Sequence, residues 1–369
     1  MSNLYIGIMS GTSLDGIDLV LVRFNQSIQE KLQPELLDSL LCPFPEQLRL
    51  QLSQLAQSGP DELELMGLVE QQLALAYADA VKQLLSKAKV APEQISAIGC
   101  HGQTIRHRPY AAFPFTYQIG DMFRLAAETQ IRVIADFRRK DMAYGGQGAP
   151  LVPAFHKAIF AKPNSYRAIL NIGGIANVTL LQPNQPVRGF DTGPGNGLMD
   201  NWFQQQNLGL YDEDGRYAAS GVLEQDLLKE LLSDPYFQLQ GPKSTGREYF
   251  NDVWLEQKLQ NGHYAPADVQ RTLTRFTAQS IKIALAHEAM DELFVCGGGA
   301  YNQVLMSDLQ QLFPAVQLQQ TSNLGVKADD VEAMAFAWLA YAYDQKIPGN
   351  IPEVTGARKA VVLGAEFSC

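Results

Sequence analysis

The fold of this chain is predicted chiefly from residues 4–24, LYIGIMSGTSLDGIDLVLVRF. In this stretch an apolar run is followed by small residues and glycines and then by a second apolar run. Glycine adopts positive φ and allows close backbone approach, so the pattern predicts a β-hairpin with an open, glycine-rich turn. Residues 167–181, RAILNIGGIANVTLL, repeat the pattern. Two such stretches, each opening one half of the chain, favour duplicated domains that face one another over two unrelated hairpins.

Helix-like and strand-like patterns alternate in the rest of the chain. Apolar residues recur every three or four positions at 65–84, 269–283 and 331–342, which predicts amphipathic helices. Short apolar runs at 95–100, 131–135 and 293–296 predict buried strands. Because strands and helices alternate, we expect an α/β fold with mixed sheets.

Residues 138–153 interrupt this periodicity with charge, then glycine, then proline, so we place a domain boundary there. The prediction is an N-terminal lobe over residues 1–138, a C-terminal lobe over 139–347 and a tail over 348–369. The apolar run at 360–363 is consistent with a strand through which the tail returns to a sheet of the N-terminal lobe.

The composition is that of a globular protein, with 369 residues of which 46% are hydrophobic and 18% charged. The 29 basic and 39 acidic residues give a net charge of −10, which argues against a general nucleic-acid-binding surface. An anionic ligand would therefore need a local basic or backbone-amide site. The four cysteines form no CxxC pair, so neither a disulfide framework nor a zinc site is predicted.

The sequence carries no sign of secretion or membrane insertion. The N-terminus, MSNLYIGIMSG, lacks the basic start and long apolar segment of a signal peptide. The most apolar late stretch, 333–343, is shorter than the ~20 residues that a spanning helix needs. We therefore expect a soluble cytoplasmic protein that binds neither membranes nor nucleic acid.

Signatures of the common nucleotide enzymes are absent. There is no GxxxxGK[ST] P-loop and no GxGxxG between an early strand and helix. The protein-kinase HRD and DFG motifs and the GxSxG elbow are missing as well.

The turn of the first predicted hairpin nevertheless carries groups suited to phosphate. Small residues allow backbone amides to line a phosphate, and Thr12 and Ser13 add hydroxyl donors. Asp15 and Asp18 could hold Mg²⁺ directly or through water. The alternative is a plain hairpin turn that contains Asp-Gly, and the turn by itself does not decide.

Two further clusters combine glycine with polar groups. Asp191 precedes a glycine-rich bend at the end of an element, where catalytic residues tend to lie; an aspartate that caps a turn or the following helix is the alternative. Gly297, Gly298 and Gly299 let a flat ligand or a phosphate approach a helix N-terminus, unless they form only a tight structural turn.

Other polar residues give weaker candidates. His101, in HGQTIRH after a strand, begins a set of donors for sugar hydroxyls or is a structural histidine. Residues 136–141, DFRRKD, form either a solvated loop or a local basic patch, and residues 242–247, PKSTGR, form a further basic loop that is rich in hydroxyl groups. Glu332 lies near the N-terminus of a predicted helix, where glutamate also favours the helix dipole. Taken together, the clusters suggest two similar α/β lobes with a nucleotide between them.

Whole strings of the sequence resemble one family. From residue 6 to residue 364, the chain resembles the anhydro-N-acetylmuramic acid kinases, which belong to the superfamily of actin, the Hsp70 ATPase domain and the sugar kinases. The strings that carry the resemblance are MSGTSLDGID, HGQTIRH, ADFRRKD, GGQGAPLVPAFH, LNIGGIANVT, FDTGPGN, GPKSTGRE, VCGGGAYN and EAMAFAWLA. The resemblance implies two similar ribonuclease H-like lobes with a central cleft.

The resemblance also implies an activity. The family transfers the γ-phosphoryl group of ATP to 1,6-anhydro-N-acetylmuramic acid and opens the anhydro ring with water. The product, N-acetylmuramic acid 6-phosphate, belongs to peptidoglycan recycling and amino sugar catabolism. ATP and Mg²⁺ are the implied cofactors, and a small-molecule sugar is the implied substrate.

Roles for particular residues follow from the same resemblance. Asp191 is implied as the catalytic residue, which would deprotonate the attacking water. The residues expected to bind ATP are Gly11, Thr12, Ser13, Leu14, Asp15, Gly16, Ile17 and Asp18, with Gly297, Gly298 and Gly299. The residues expected to contact the sugar are His101, Thr104, Asp136, Arg138 and Glu332.

Two alternative functions stay open at this point. One is a kinase of the same superfamily that acts on another sugar or on a carboxylate. The other is an actin- or Hsp70-like ATPase that acts by binding a partner, although the chain has little length for the extension such proteins carry. The metal ligands and the oligomeric state, a homodimer included, are not fixed by the sequence.

Overall fold

The computed structural model describes residues 3–12, 14–26, 32–239, 243–260 and 262–369. The strands, in chain order, are β1 (Leu4–Ser10), β2 (Ile17–Gln26), β3 (Leu32–Cys42), β4 (Ile95–Arg108), β5 (Phe115–Ile119), β6 (Val133–Ala135), β7 (Arg167–Ile172), β8 (Ile175–Leu181), β9 (Arg188–Pro194), β10 (Glu292–Cys296), β11 (Gln317–Gln320) and β12 (Ala365–Phe367). The helices are α1 (Glu46–Leu55), α2 (Glu62–Ala88), α3 (Met122–Thr129), α4 (Phe137–Ala143), α5 (Val152–Phe160), α6 (Gly197–Gln205), α7 (Arg216–Ser220), α8 (Gln225–Leu232), α9 (Asp252–Leu259), α10 (Pro266–Ala284), α11 (Gln303–Leu312), α12 (Val331–Asp344) and α13 (Pro352–Thr355). The chain divides into two compact units, residues 1–159 with 330–369, and residues 160–329.

The first unit is built on a mixed sheet with strand order β12-β6-β4-β1-β2-β3, and β5 pairs with β4. Strands β1, β2 and β3 form an antiparallel meander. Strand β4 runs parallel to β1, and β6 runs parallel to β4. The hairpin predicted at residues 4–24 is therefore confirmed as β1 and β2.

The second unit repeats this arrangement with strand order β11-β10-β7-β8-β9. Strands β7, β8 and β9 are an antiparallel meander, β10 runs parallel to β7, and β11 runs parallel to β10. The hairpin predicted at residues 167–181 is β7 and β8. Because both sheets place two parallel strands beside the first strand of a meander, the duplication predicted from the two hairpins is confirmed.

Helix α12 packs against the first sheet at two glycines. Gly7 and Gly99 are register partners on the parallel strands β1 and β4. A Cβ on Gly7 would lie 1.9 Å from the carbonyl oxygen of Ala333, and one on Gly99 would lie 2.0 Å from that of Phe336. Only glycine permits this close approach. The contact makes α12, which carries Glu332 in its first turn, part of the first unit.

The stretch in which we placed a domain boundary is ordered structure of the first unit. It contains α4 and the start of α5. The buried carboxylate of Asp141 accepts hydrogen bonds from the Gly148 amide (2.8 Å) and from Asn350 Nδ2 and Thr355 Oγ1 (both 2.7 Å). These bonds join the stretch to the tail of the chain.

The division of the chain consequently differs from the predicted one. It falls after residue 159 and before residue 330, rather than after residues 138 and 347, because α12 and the tail pack with the first sheet. The tail does pair with this sheet, through β12 antiparallel to β6, although the strand lies just beyond the predicted run at 360–363. No helix in the described ranges is long and apolar enough to span a bilayer.

Candidate active site

The turn between β1 and β2 holds five of the residues predicted to bind ATP, Gly11, Thr12, Leu14, Asp15 and Gly16. Ser13 lies outside the described part of the chain. The amide of Leu14 donates to the carbonyl of Gly11 at 3.2 Å, and Gln103 Nε2 of β4 donates to the same carbonyl at 3.1 Å. Thr12 and Asp15 are exposed. The turn is thus tied to β4 on one side and presents a hydroxyl and a carboxylate to solvent.

Gly16 has a packing role in addition to any role toward a ligand. A Cβ at this position would lie 2.7 Å from the Leu41 side chain and 2.9 Å from the Cys42 carbonyl oxygen of β3. Ile17 and Asp18 already belong to β2, opposite Cys42 and Leu41. Substitution of Gly16 would therefore disturb the sheet itself, so this glycine does not separate nucleotide binding from folding.

His101, Arg138 and Glu332 come together in the first unit. Arg138 Nε and Nη2 lie 3.0 and 2.9 Å from His101 Nε2, and Arg138 Nη1 donates to the Gly148 carbonyl at 2.8 Å. The His101 ring lies 4.7 Å from the Phe336 ring of α12. Glu332, in the first turn of α12, acts electrostatically on Arg138. The structure therefore places three of the five predicted sugar contacts in one cluster.

The charges in this cluster are set by burial. Burial, with the Arg138 charge, lowers the pKa of His101 well below its usual value, so the imidazole is neutral. Burial also lowers the pKa of Arg138 to about 10, against the opposing effect of Glu332 and Asp141. Arg138 remains a cation at neutral pH, and the acceptors it contacts at His101 and Gly148 are neutral. Such a guanidinium is suited to an anionic group such as a carboxylate.

Thr104 and Asp136 have other partners. Gln118 Nε2 of β5 donates to Thr104 Oγ1 at 3.1 Å. Both carboxylate oxygens of Asp136 accept from Arg139 Nε at 2.8 Å. The string HGQTIRH lies within β4 rather than after a strand, and most of DFRRKD forms α4 rather than a solvated loop.

Asp191 lies in the second unit, within β9 and next to a bulge. Its register partner on β8 is Asn177, and the next pair is Gly193 with Ala176, so Thr192 is the additional residue. Asp191 Oδ2 accepts from Ser244 Oγ and from the Thr245 amide, both at 3.0 Å. Helix α6 begins after Asn196, so Asp191 does not cap this helix.

The surroundings of Asp191 make it a better base than an exposed aspartate. Burial raises its pKa, and the charge of Glu248 adds to this effect, while the hydrogen bonds from Thr245 and Ser244 oppose it. The net shift is upward. A carboxylate with a raised pKa accepts a proton more readily.

The three predicted glycines after β10 meet the turn of the second hairpin. A Cβ on Gly297, whose φ is +77°, would lie 2.4 Å from Asn171 Oδ1, and one on Gly299 would lie 2.4 Å from the Ile172 side chain. A Cβ on Gly298 would meet nothing closer than Asn196 Nδ2 at 3.4 Å. Two of the glycines are thus required by packing, and the exposed Gly298 is the one open to a ligand.

The loop at 243–247 was singled out in the sequence as basic and rich in hydroxyl groups, without a role. In the structure Ser244 and Thr245 bind Asp191. The Arg247 guanidinium covers Gly174 of the second hairpin turn, where a Cβ would lie 2.8 Å from Nη2. No spacing rule links position 191 to 244, so this contact could not be found from periodicity. Pro242, also in the predicted patch, lies outside the described residues.

Comparison with known proteins decides among the functions that the sequence left open. Residues 3–369 match the family model of anhydro-N-acetylmuramic acid kinase. The chain belongs to the anhydro-N-acetylmuramic acid kinase family. It is 52% identical over 368 residues to the anhydro-N-acetylmuramic acid kinase of Pasteurella multocida, covering 98% of this chain and 96% of that protein. With the protein of the same name from Haemophilus influenzae it shares 51% over 377 residues, covering 98% and 97%.

A solved structure similar to this chain is component A of the (R)-2-hydroxyglutaryl-CoA dehydratase of Acidaminococcus fermentans. The TM-score is 0.51 at 13% identity, over 93% of this chain and 99% of that one, so the likeness concerns the fold alone. Membership in the anhydro-N-acetylmuramic acid kinase family confirms the predicted family, enzyme class and fold of two similar α/β lobes. It implies ATP and a small-molecule substrate, and it sets aside the partner-binding ATPase.

Proposed function

We propose that the protein transfers the γ-phosphoryl group of ATP to O6 of 1,6-anhydro-N-acetylmuramic acid while water opens the anhydro ring. The products are N-acetylmuramic acid 6-phosphate and ADP, and the reaction serves the recycling of peptidoglycan. The observation that carries this proposal is the position of Asp191 in a chain of this kinase family: its carboxylate is held through one oxygen, and burial raises its pKa.

Asp191 is the proposed general base. Ordinary sugar kinases activate a hydroxyl of the substrate, but O6 of the anhydro sugar is an ether oxygen and carries no proton. The base must therefore act on water. A positioned base typically contributes about 10²–10⁴-fold to the rate.

One concerted exchange of bonds accounts for both products. The oxygen of water bonds to C1 as the C1–O6 bond breaks, and the water proton passes to Asp191. O6 bonds to the γ-phosphorus as the bond from that phosphorus to ADP breaks. Because O6 receives the phosphoryl group, no second carboxyl group is needed to protonate it, as a glycosidase would require.

The proposed contacts to ATP come from the glycine-rich turns. The turn between β1 and β2 offers Thr12 and Asp15, both exposed, and the loop after β10 offers the open side of Gly298. Phosphoryl transfer depends mainly on positioning and charge neutralisation, and backbone amides together with hydroxyl groups supply both. The other predicted positions in these turns stay part of the proposal.

Mg²⁺ is proposed as a cofactor that neutralises phosphate charge. Asp15 is exposed and Asp18 is half-buried on the first hairpin, which fits a cation held by one or two carboxylates together with phosphate oxygens. Within the described ranges, no group of three or more His, Cys, Asp or Glu side chains could hold a metal.

The sugar is proposed to contact the polar residues of the first unit. Arg138 carries a positive charge beside the neutral acceptors of His101 and Gly148, and we assign it to the lactyl carboxylate. His101, Thr104, Asp136 and Glu332 are proposed contacts for the remaining polar groups of the sugar. We also propose a cytoplasmic location. A homodimer is the alternative to a monomer, and sedimentation equilibrium distinguishes them.

The mass of the product tests the proposed reaction. The purified protein is incubated with ATP, Mg²⁺ and 1,6-anhydro-N-acetylmuramic acid. We expect a product heavier than the substrate by one phosphoryl group and one water. A product heavier by the phosphoryl group alone would show an ordinary hydroxyl kinase, and ADP release without a phosphorylated sugar would show a different acceptor.

A further inference from the structure

The two oxygens of the Asp191 carboxylate have different surroundings. Oδ2 accepts two hydrogen bonds, from Ser244 Oγ and from the Thr245 amide, each at 3.0 Å. Within the described part of the chain, no donor contacts Oδ1. A carboxylate that is held on one side only keeps the lone pairs of the other oxygen for a different partner.

The loop that provides these donors is itself fixed to Asp191. The Asp191 amide donates to the Lys243 carbonyl at 2.9 Å, and the Tyr236 hydroxyl donates to the Asp191 carbonyl at 2.8 Å. Lys243 Nζ donates to the Tyr236 carbonyl at 3.1 Å and lies 4.3 Å from the centre of the Tyr236 ring. Backbone and side-chain contacts thus fix the position of the loop relative to β9.

The charged groups around the carboxylate do not occupy Oδ1 either. Glu248 acts on Asp191 as a like charge and repels rather than binds it. The Lys243 ammonium group is turned to Tyr236. On the neighbouring strand β8, the register partner is the uncharged Asn177. The orientation of the carboxylate is therefore set by Ser244 and Thr245.

We infer that Ser244 and Thr245 are positioning residues that hold Oδ2, so that Oδ1 is the oxygen that takes the proton from water. This inference rests on the proposed function, because it assumes that Asp191 is the base. Two donors on one oxygen fix the rotation about the Cβ–Cγ bond. A base held in this way needs no reorientation before proton transfer.

The inference is tested with Ser244→Ala, the conservative variant Ser244→Thr and a control, Ser233→Ala. Ser233 is an exposed serine of the second unit whose hydroxyl donates to the Glu230 carbonyl. The rate of a single turnover is measured against pH, together with the KM of the sugar and the melting temperature. Asp191→Asn is measured in parallel.

We expect Ser244→Ala to lower the single-turnover rate about 10- to 150-fold, the range for one hydrogen bond to a charged group. The acid limb of the pH profile should move to higher pH, because a donor that favours the charged carboxylate is lost. Ser244→Thr should restore most of the rate, and Ser233→Ala should match the unmodified protein.

A Ser244→Ala variant with an unchanged rate and an unmoved acid limb overturns the inference. So does a slower variant whose acid limb stays in place, or one in which only the KM of the sugar changes, because each assigns Ser244 another role. If Asp191→Asn retains its activity, the proposed function itself fails. If Asp191→Asn is inactive and Ser244→Ala is normal, only the positioning role fails.

Discussion

The guanidinium group of Arg138 donates to Nε2 of His101 from two of its nitrogens, at 3.0 and 2.9 Å. Because arginine only donates, His101 Nε2 must be free of a proton. Burial and the arginine charge hold the pKa of His101 well below its usual value, in agreement with this geometry. The neutral ring orients the guanidinium without neutralising its charge.

A charged Arg138 leads to a prediction for sugar binding. Arg138→Gln should raise the KM of the sugar about 10- to 100-fold, as expected for the loss of charge-assisted hydrogen bonds, with a smaller effect on the KM of ATP. Lys140→Gln is the control, since Lys140 is exposed on the same helix, α4. Steady-state kinetics with each substrate varied gives the result. Equal sugar KM values for the two variants would remove Arg138 from the sugar site.

Buried histidines lead to a prediction for stability against pH. Burial lowers the pKa of His156 to about 3 and that of His107 to about 4. Both lie below the unfolded value of about 6.5, so the unfolded chain binds more protons in that window. Stability should be complete above pH 6.5 and should fall as the pH decreases from there.

Urea unfolding at several pH values between 7 and about 4.5 measures this slope. Each histidine contributes at most about 1.4 kcal/mol per pH unit. His156→Gln should flatten the curve, because His156 is fully buried and titrates only in the unfolded chain over this window. Parallel curves for the variant and the unmodified protein would contradict the prediction.

Asp191→Asn separates a catalytic role from a structural one. Turnover should fall about 10²–10⁴-fold, while ATP and the sugar still bind. Burial raises the pKa of Asp191, so the stability contributed by its neutral form is lost as the pH rises through the folded pKa. At pH 8 the asparagine variant should therefore melt no lower than the unmodified protein. Activity that falls only in proportion to the folded fraction would point to a structural role.

The glycines after β10 provide a matched pair of variants for the nucleotide site. Gly298→Val should raise the KM of ATP at least about tenfold without lowering the melting temperature, because the position is open. Gly297→Ala should destabilise the protein by roughly 1–2 kcal/mol or more, since φ is +77° and a Cβ would lie 2.4 Å from Asn171 Oδ1. Thermal melting and ATP kinetics are compared for both. Unaltered ATP kinetics in Gly298→Val would place the nucleotide away from this loop.

Local patterns determined the elements of the fold and its duplication. The apolar runs on either side of a glycine-rich turn predicted both hairpins, and the three-to-four spacing predicted α2, α10 and α12. Hairpins and helices depend on residues within a few positions of each other, so the spacing of apolar residues in the sequence predicts them directly. The strings around Asp191 and the other motifs carried the family, because they are long, ordered and extend over the whole chain.

The tertiary structure decided which of these residues are neighbours. Gly7 and Gly99 are ordinary strand glycines in the sequence, and only the packing of Ala333 and Phe336 against them assigns α12 to the first unit. The domain boundary was misplaced for this reason, since a helix far along the chain returns to the first sheet. Likewise, the bulge at Thr192 and the loop from Lys243 bring Ser244 to Asp191 across 53 positions. Periodicity holds no information about such pairs, because their contact depends on how sheets and loops pack rather than on local backbone geometry.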